Sequence, residues 1–293
     1  MTMSKLERND RLVKLALLVL AFSAVAILVV ITVFIFEEGT PIMFKYGFRK
    51  FLLGLDWYPS EKSFGLLPMI LGSLAVTFGA LIIGVPLGLA CAIFLTEFSS
   101  RRLRRILKPV IELLAGIPSV VYGFIGVVIL VPFIRTTLGG PGLSVLAASI
   151  ILGIMILPTI ISISIDSLQA VPRSYREGSI ALGTTRWQTT RMVMIPAARS
   201  GIIASIVLGM GRAIGETMAV IMVAGNAVSI PGSPLSPVRT LTSNIALEMG
   251  YASGEHRQAL FATGVILFII IMILNTIATV TSRRRPTRGR QAP

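Results

Sequence analysis

An all-α integral membrane fold with six transmembrane helices is predicted by three features of this sequence. Hydrophobic residues make up 54% of its 293 positions and charged residues only 14%, where a soluble domain carries about a quarter charged. The mean hydropathy is +0.84. The apolar residues also cluster, falling into six runs that reach or approach the ~20 residues a helix needs to cross a hydrocarbon core. A chain so composed cannot hide its apolar surface in one globular core. The net charge of +14 would suit nucleic acid only if the basic residues shared one face of a soluble fold. Here they stand in short blocks between the apolar runs.

The runs cover residues 12–36, 67–95, 109–134, 141–165, 197–224 and 258–281. The first follows Lys5, Arg8, Arg11 and Lys14, as the core of a signal peptide would. Its apolar stretch from Leu15 to Phe36 exceeds the roughly 7–15 residues of such a core, and no small-x-small cleavage site follows, so it reads as a retained span.

Lysine and arginine placement sets the orientation. The N-terminus, the 96–108 loop, the 166–196 loop and the tail hold four, five, five (Arg199 included) and five of the 27 basic residues. The opposite side holds seven, and Arg212 is left within a span. The first side is therefore expected to be cytoplasmic, with both termini inside. Arg101, Arg102, Arg104 and Arg105, with Arg283, Arg284 and Arg285, carry most of this signal and read as topology anchors.

Two external segments are long. Residues 37–66 carry Trp57, Tyr58 and Pro59, as a chain lying at the interface would, and 225–257 opens with a proline-rich stretch from Pro231 to Pro237. Helical spacing returns over 238–250 and predicts a short interfacial helix. No fixed-period repeat is visible. Cys91 is the single cysteine, which excludes an intrachain disulfide, and His256 is the single histidine, so no metal site or histidine triad is expected.

Between the fourth and fifth spans, Pro172 suits a first helical turn. Gly183 suits a left-handed residue that ends one helix and turns into the next, and Pro196 opens the fifth span. Two short angled helices with small residues at their exposed tip are predicted, a shape suited to a partner's cleft. In this loop Glu177 is followed by Gly183, then by Val193, Ile195 and Pro196. The spacing resembles the pattern of ATP-binding-cassette importer permeases: Glu-Ala-Ala, three residues, Gly, nine residues, Ile-x-Leu-Pro. Gly178 and Ser179 depart from its Ala-Ala but stay small, with helix propensity lowered by roughly 1 kcal/mol at the glycine. The resemblance implies that Glu177, Gly178, Ser179 and Gly183 belong to a coupling helix docking on a separate ATPase. The sequence itself contains no G-x-x-x-x-G-K-[ST] phosphate loop and no Gly-Lys pair.

Within the fifth span, Arg212 and Glu216 stand four apart, which on one helix places them on one face. Gly211 and Gly215 form a G-x-x-x-G step that admits a close helix neighbour. A central charge costs about 2.5–3.5 kcal/mol to insert, so both need partners or a wet path. Two readings stay open on chemistry alone: a buried ion pair that fixes packing, or a guanidinium fork offered to a passing oxyanion with Glu216 discriminating among protonation states. The stretch Gly201 to Asn226, centred on Arg212 to Val220, and the stretch Ala115 to Gly123 both resemble PstC-type phosphate permeases. That resemblance spans about 65–280 and places Arg212 and Glu216 on the anion path, with ion pairing between them as the expected resting state.

Pro118 is expected to break the third span, as breaks that line transporter cavities do. Pro86 reads as packing and Glu112 as a local partner of Lys108. Asp166 is expected to cap or pair locally, and His256 to be solvated beside Arg257.

By domain, residues 1–66 are expected to hold a first helix and an external segment, 67–281 a type I importer transmembrane unit with its coupling loop at 166–196, and 282–293 a basic cytoplasmic tail. The resemblance implies a non-enzymatic, multi-pass permease of the inner membrane that moves phosphate by alternating access and uses no cofactor. Its implied partners are a second similar permease, two ATP-binding subunits and an external phosphate-binding protein. Rivals are a molybdate or sulfate permease, an ion-coupled secondary transporter using Glu216 as a proton site, and a membrane scaffold.

Overall fold

Lipid tails are as apolar as leucine, so helices in a bilayer associate through close packing rather than water exclusion. The fold follows that rule. The structure, a computed structural model, describes residues 5–283, so the basic tail beyond Arg283 lies outside the described residues. Its most extensive helix contact joins α3 (Leu67–Ile93) to α7 (Val145–Gln169). Small residues permit it: a Cβ on Gly84 would sit 2.8 Å from the Ile156 side chain and 2.9 Å from the Gly153 carbonyl. Val76, Ala80, Ala147, Ala148, Ile151, Leu152, Ile156 and Ile160 fill the seam. Pro86, read as packing, is exposed instead.

α1 (Lys5–Tyr46) is a single helix of 42 residues, longer than the expected span. Only its C-terminal part is fastened, with Ile42 and Met43 packed among Ala259, Leu260, Ala262 and Ile266 of α14 (Gly254–Arg283). Phe34 and Phe36 meet Phe261 and Phe268 edge-on. Before that, the side chains from Leu12 to Val30 are almost all exposed. After α2 (Phe48–Leu53) the chain makes a small hairpin, β1 (Trp57–Tyr58) on β2 (Ser63–Phe64), with Trp57 opposite Phe64. Tyr58 is exposed as an interfacial residue would be, but Trp57 is buried.

The third span differs from expectation. Residues 101–116 form a separate amphipathic helix, α4 (Arg101–Gly116), capped by Ser100, whose hydroxyl accepts from the Leu103 amide at 3.3 Å. The helix stops because Pro118 forces Ile117 into an extended conformation (ψ 127°) and offers no amide of its own. The membrane-length stretch is Ser119–Thr137, built from α5 (Ser119–Ile125), a π-helical turn at Gly126–Leu130 and α6 (Val131–Thr137). Pro118 thus marks the boundary between two helices.

Among the described residues, five helical stretches are long and apolar enough to cross a membrane: Leu12–Tyr46, Leu67–Phe98, Ser119–Thr137, Val145–Gln169 and Gly254–Val280. The sixth, expected at 197–224, is broken. It comprises α11 (Arg199–Ile214) and α12 (Met218–Val223), parted by Gly215, Glu216 and Thr217. Ahead of it, α8 (Arg173–Ala181), α9 (Arg186–Thr189), a π-helical turn at Thr190–Met194 and α10 (Ile195–Ala197) form the long loop. The stretch Arg186–Ala197 meets α11 at a 71° bend, so the span opens at Arg199 rather than Pro196. The short helix expected within 238–250 is present as α13 (Leu241–Glu248), docked on α3 through its Leu241 amide and the Ser73 hydroxyl, 2.9 Å apart.

Candidate functional site

The loop builds a protruding helical hairpin. Pro172 caps α8 rather than entering its first turn. Gly183 has φ +82°, a left-handed conformation that glycine adopts without steric cost, and there the chain reverses. Thr185 opens α9 with a reciprocal cap: its hydroxyl accepts from the Gln188 amide at 3.3 Å, while the Gln188 side chain accepts from the Thr185 amide at 2.8 Å. Glu177, Gly178 and Gly183 are exposed. So are Tyr175, Ile180, Leu182 and Trp187, with Leu182 86% exposed. The tip is therefore more apolar than its small residues alone suggest.

Ser179 is buried and turns inward, against the expectation that it would sit on the exposed tip. Its hydroxyl lies 2.7 Å from that of Thr184 and 3.1 Å from that of Thr189, and Thr184 also donates to the Ser179 carbonyl at 2.8 Å. In the place where the importer pattern has alanine, a hydroxyl braces the two arms of the hairpin. The hairpin is fastened to the helical body through Arg176, which donates to the Glu97 carboxylate at 2.5 Å. Glu97 lies in a π-helical turn, Phe94–Phe98, that ends α3. Arg104 of α4 donates to two carbonyls of the same turn, Leu95 at 2.7 Å and Thr96 at 2.6 Å.

The second region gathers two helix breaks. α5, which begins after Pro118, packs on α12, which begins after Thr217. A Cβ on Gly123 would sit 3.0 Å from the Ala219 Cα, so the two short helices touch nearly backbone to backbone. Tyr122 spans the first break by donating to the Leu114 carbonyl at 2.8 Å, and it lies within electrostatic reach of Arg212.

Arg212 and Glu216 do not share a helix face, because the helix ends between them. Glu216 caps α12, its carboxylate accepting from the Ala219 amide at 3.2 Å, and its carbonyl accepts from the Thr242 hydroxyl at 2.8 Å. Among the described residues no ion pair joins Glu216 to Arg212, which is exposed. The buried-pair reading therefore fails in this conformation. A Cβ added at Gly211 would meet no other helix among the described residues within 4 Å, so none of them occupies that position of the step.

Sequence reasoning missed a buried ionic centre beside the β1–β2 hairpin, at the end of the molecule away from α8 and α9. Glu248, at the end of α13, accepts from the Trp57 indole at 2.8 Å and from Arg239 at 2.6 Å, and lies 2.8 Å from His256 Nε2. His256 is thus paired and largely buried, where solvation was expected. The legible signal was that Trp57, Arg239, Glu248 and His256 all lie in segments that must return to one end of the bundle. Lys45 and Tyr46 at the end of α1 likewise both bond Glu255 of α14. At the other end Lys108 meets Asp166 at 4.0 Å, in place of the expected Glu112. Among the described residues no cluster of metal-ligating side chains is present.

The sequence model of the family described as binding-protein-dependent transport system inner membrane component matches residues 84–285. The probable ABC transporter permease protein YqgH of Bacillus subtilis strain 168 is 46% identical over 273 residues, covering 90% of this chain and 88% of that protein. The phosphate transport system permease protein PstC of Mesorhizobium japonicum is 39% identical over 281 residues, covering 87% and 86%. Among solved structures, a bacterial ABC transporter involved in the import of the acidic polysaccharide alginate superposes with a TM-score of 0.65 over 96% of this chain and 99% of its own, at 15% identity. The inward-facing MetNI methionine ABC transporter gives 0.60 over 74% and 94%, at 21% identity. These two likenesses speak for the fold alone.

Proposed function

The chain belongs to the family of binding-protein-dependent transport system inner membrane components, and from that premise we propose that it is the permease subunit of an ATP-driven phosphate importer. Relatives named as phosphate transport permeases, at 36–39% identity, favour phosphate over molybdate or sulfate. The observation that carries the proposal is Arg212, a guanidinium with no carboxylate partner among the described residues, beside two broken helices. A planar fork of donors matches a tetrahedral oxyanion.

The half-helices supply what continuous spans cannot. At Gly215 to Thr217 and at Ile117 and Pro118 the backbone leaves the helical ladder, and irregular backbone at membrane depth is tolerated where it lines a cavity or is covered by protein. Glu216 is held on the α12 cap, where its carboxylate can accept a hydrogen bond from the O–H of a protonated phosphate while its charge disfavours a fully ionised anion.

The hairpin of α8 and α9 is the proposed docking element for a separate ATPase. Glu177 and Gly178 lie on its open side, Gly183 forms its turn and Ser179 supplies its brace. One chain provides half a pore, so the assembly would comprise a second similar permease, two ATP-binding subunits and an external phosphate-binding protein. Residues 67–281 would form the import unit, with the hairpin on the cytoplasmic side of the inner membrane. The chain itself performs no bond chemistry. Phosphate uptake by the reconstituted complex tests the reading: Arg212→Gln is expected to abolish uptake with the complex still assembled, and undiminished uptake would refute it.

A further inference from the structure

We infer that a second anion site, apart from the membrane path, lies behind the coupling hairpin: a cavity of about 350 Å³ lined by Thr96, Arg104, Arg173 and Arg176, with Leu168 and Met194 as its apolar wall. Its ligand is a small phosphate-bearing anion, either free phosphate or a lipid headgroup. Three different elements supply the polar groups. Thr96 comes from the π-helical turn that ends α3, Arg104 from α4, and Arg173 and Arg176 from α8.

The donors there are only partly used. Arg104 spends Nε and one terminal nitrogen on the Leu95 and Thr96 carbonyls. Arg176 gives one terminal nitrogen to Glu97, while its Nε, buried, has no partner. Thr96 is only 7% exposed, and its hydroxyl also has no partner. Burying a donor without an acceptor is costly, and a ligand that accepts from it recovers that cost. Water can meet the hydrogen-bond demand but not the charge. The lining holds three guanidinium groups and no carboxylate, and among the described residues the recorded ion pair of these arginines is that of Arg176 with Glu97, so an excess of positive charge remains. Donors arriving from three directions suit a tetrahedral oxyanion, which presents acceptors on every side, better than a planar carboxylate.

An anion seated there would join α8 to the ends of α3 and α4, and so would hold the coupling hairpin against the spans it must move. This inference does not depend on Arg212 or on which solute the chain transports.

The test uses the full-length chain in lipid nanodiscs titrated calorimetrically with inorganic phosphate. In phosphatidylcholine discs, saturable binding is expected. It should weaken about tenfold, the scale of one lost charge-assisted hydrogen bond, in Arg173→Gln, in Arg176→Lys (which keeps the charge facing Glu97 but lacks Nε) and in Thr96→Val. It should be unchanged in Arg49→Gln, an exposed arginine of α2 outside both sites. In phosphatidylglycerol discs, phosphate binding that disappears while the lipid co-purifies with the wild type, but not with Arg173→Gln, would identify a headgroup as the occupant and equally support the site. Should Arg176→Lys fail to insert, Arg173→Gln and Thr96→Val decide. The inference is overturned if neither phosphate nor phosphatidylglycerol binding depends on Arg173, Arg176 or Thr96, or if phosphate binding is lost only in Arg212→Gln. Uptake assays of Arg212→Gln are scored separately, so failure of the transport reading leaves this result legible.

Discussion

Trp57 donates its indole N–H to Glu248 at 2.8 Å, joining residues 191 positions apart. The bond pins the β-hairpin that follows the first helix to the short helix preceding the last span. Arg239 and His256 complete the arrangement, with Arg239 also held by the Asn226 carbonyl and the Asn244 side chain, each at 3.0 Å. Removing the central carboxylate strands a largely buried arginine, at a cost of roughly 3–5 kcal/mol. Glu248→Ala should therefore lower the thermal aggregation midpoint of the purified protein and shift Trp57 emission to the red. Unchanged values of both would show that the centre is not structural.

At the hairpin turn, Gly183→Val forces a β-branched residue to φ +82°, which costs on the order of 1–3 kcal/mol. Membrane insertion should persist while ATPase co-purification and ATP-driven uptake both fall severalfold. Wild-type levels of both would remove the turn from the coupling mechanism.

Ser179 tests whether the brace or the docking surface matters at that position. Ser179→Ala deletes the hydroxyl shared with Thr184 and Thr189, worth about 1 kcal/mol, without altering the exposed face. Local amide exchange across 179–189 should quicken, with ATPase binding within about twofold of wild type. Complete loss of ATPase binding would mean that Ser179 contacts the partner directly.

For the proposed membrane path, Arg212, which has no ion-pair partner among the described residues, makes a specific forecast. Since no salt bridge to Glu216 is present to break, Arg212→Gln and Glu216→Gln should both assemble, with uptake abolished in the first and reduced or less selective against sulfate in the second. The double variant should resemble the first. Recovery of uptake in the double would restore the ion-pair interpretation.

Orientation is tested by labelling introduced cysteines in a Cys91→Ala background. Because Ser179 is buried, Ser174→Cys, on the exposed side of α8, reports better on the proposed docking loop. It should resist a membrane-impermeant thiol reagent in intact cells, while Ser233→Cys should react. Labelling of the first from outside would invert the topology.

The parts legible in the sequence were those set by composition and local backbone chemistry. Apolar runs gave the helices, Gly183 the turn and Pro118 the break. The rest depended on long-range partners. α4 separates from its span because Pro118 constrains the residue before it, a boundary that the continuous run from Pro109 onward obscured. The break after Ile214 was hidden because Arg212 to Val220 has no proline, and Gly215 reads equally well as a packing step with Gly211. Glu248 was not singled out because its partners are spread over two external segments, Trp57 in 37–66 and Arg239 and His256 in 225–257, none periodic with another.

The loose attachment of α1 has an evolutionary consequence. Only the last turns of this helix are fastened to α14, and the family match begins later, at residue 84. The leading helix contributes no residue to the α3–α7 seam, so substitutions along its free face need not disturb that seam. Sequence drift should accordingly be fastest from Leu12 to Val33 and slow abruptly near Ile42, where a change in one helix must be answered by the other.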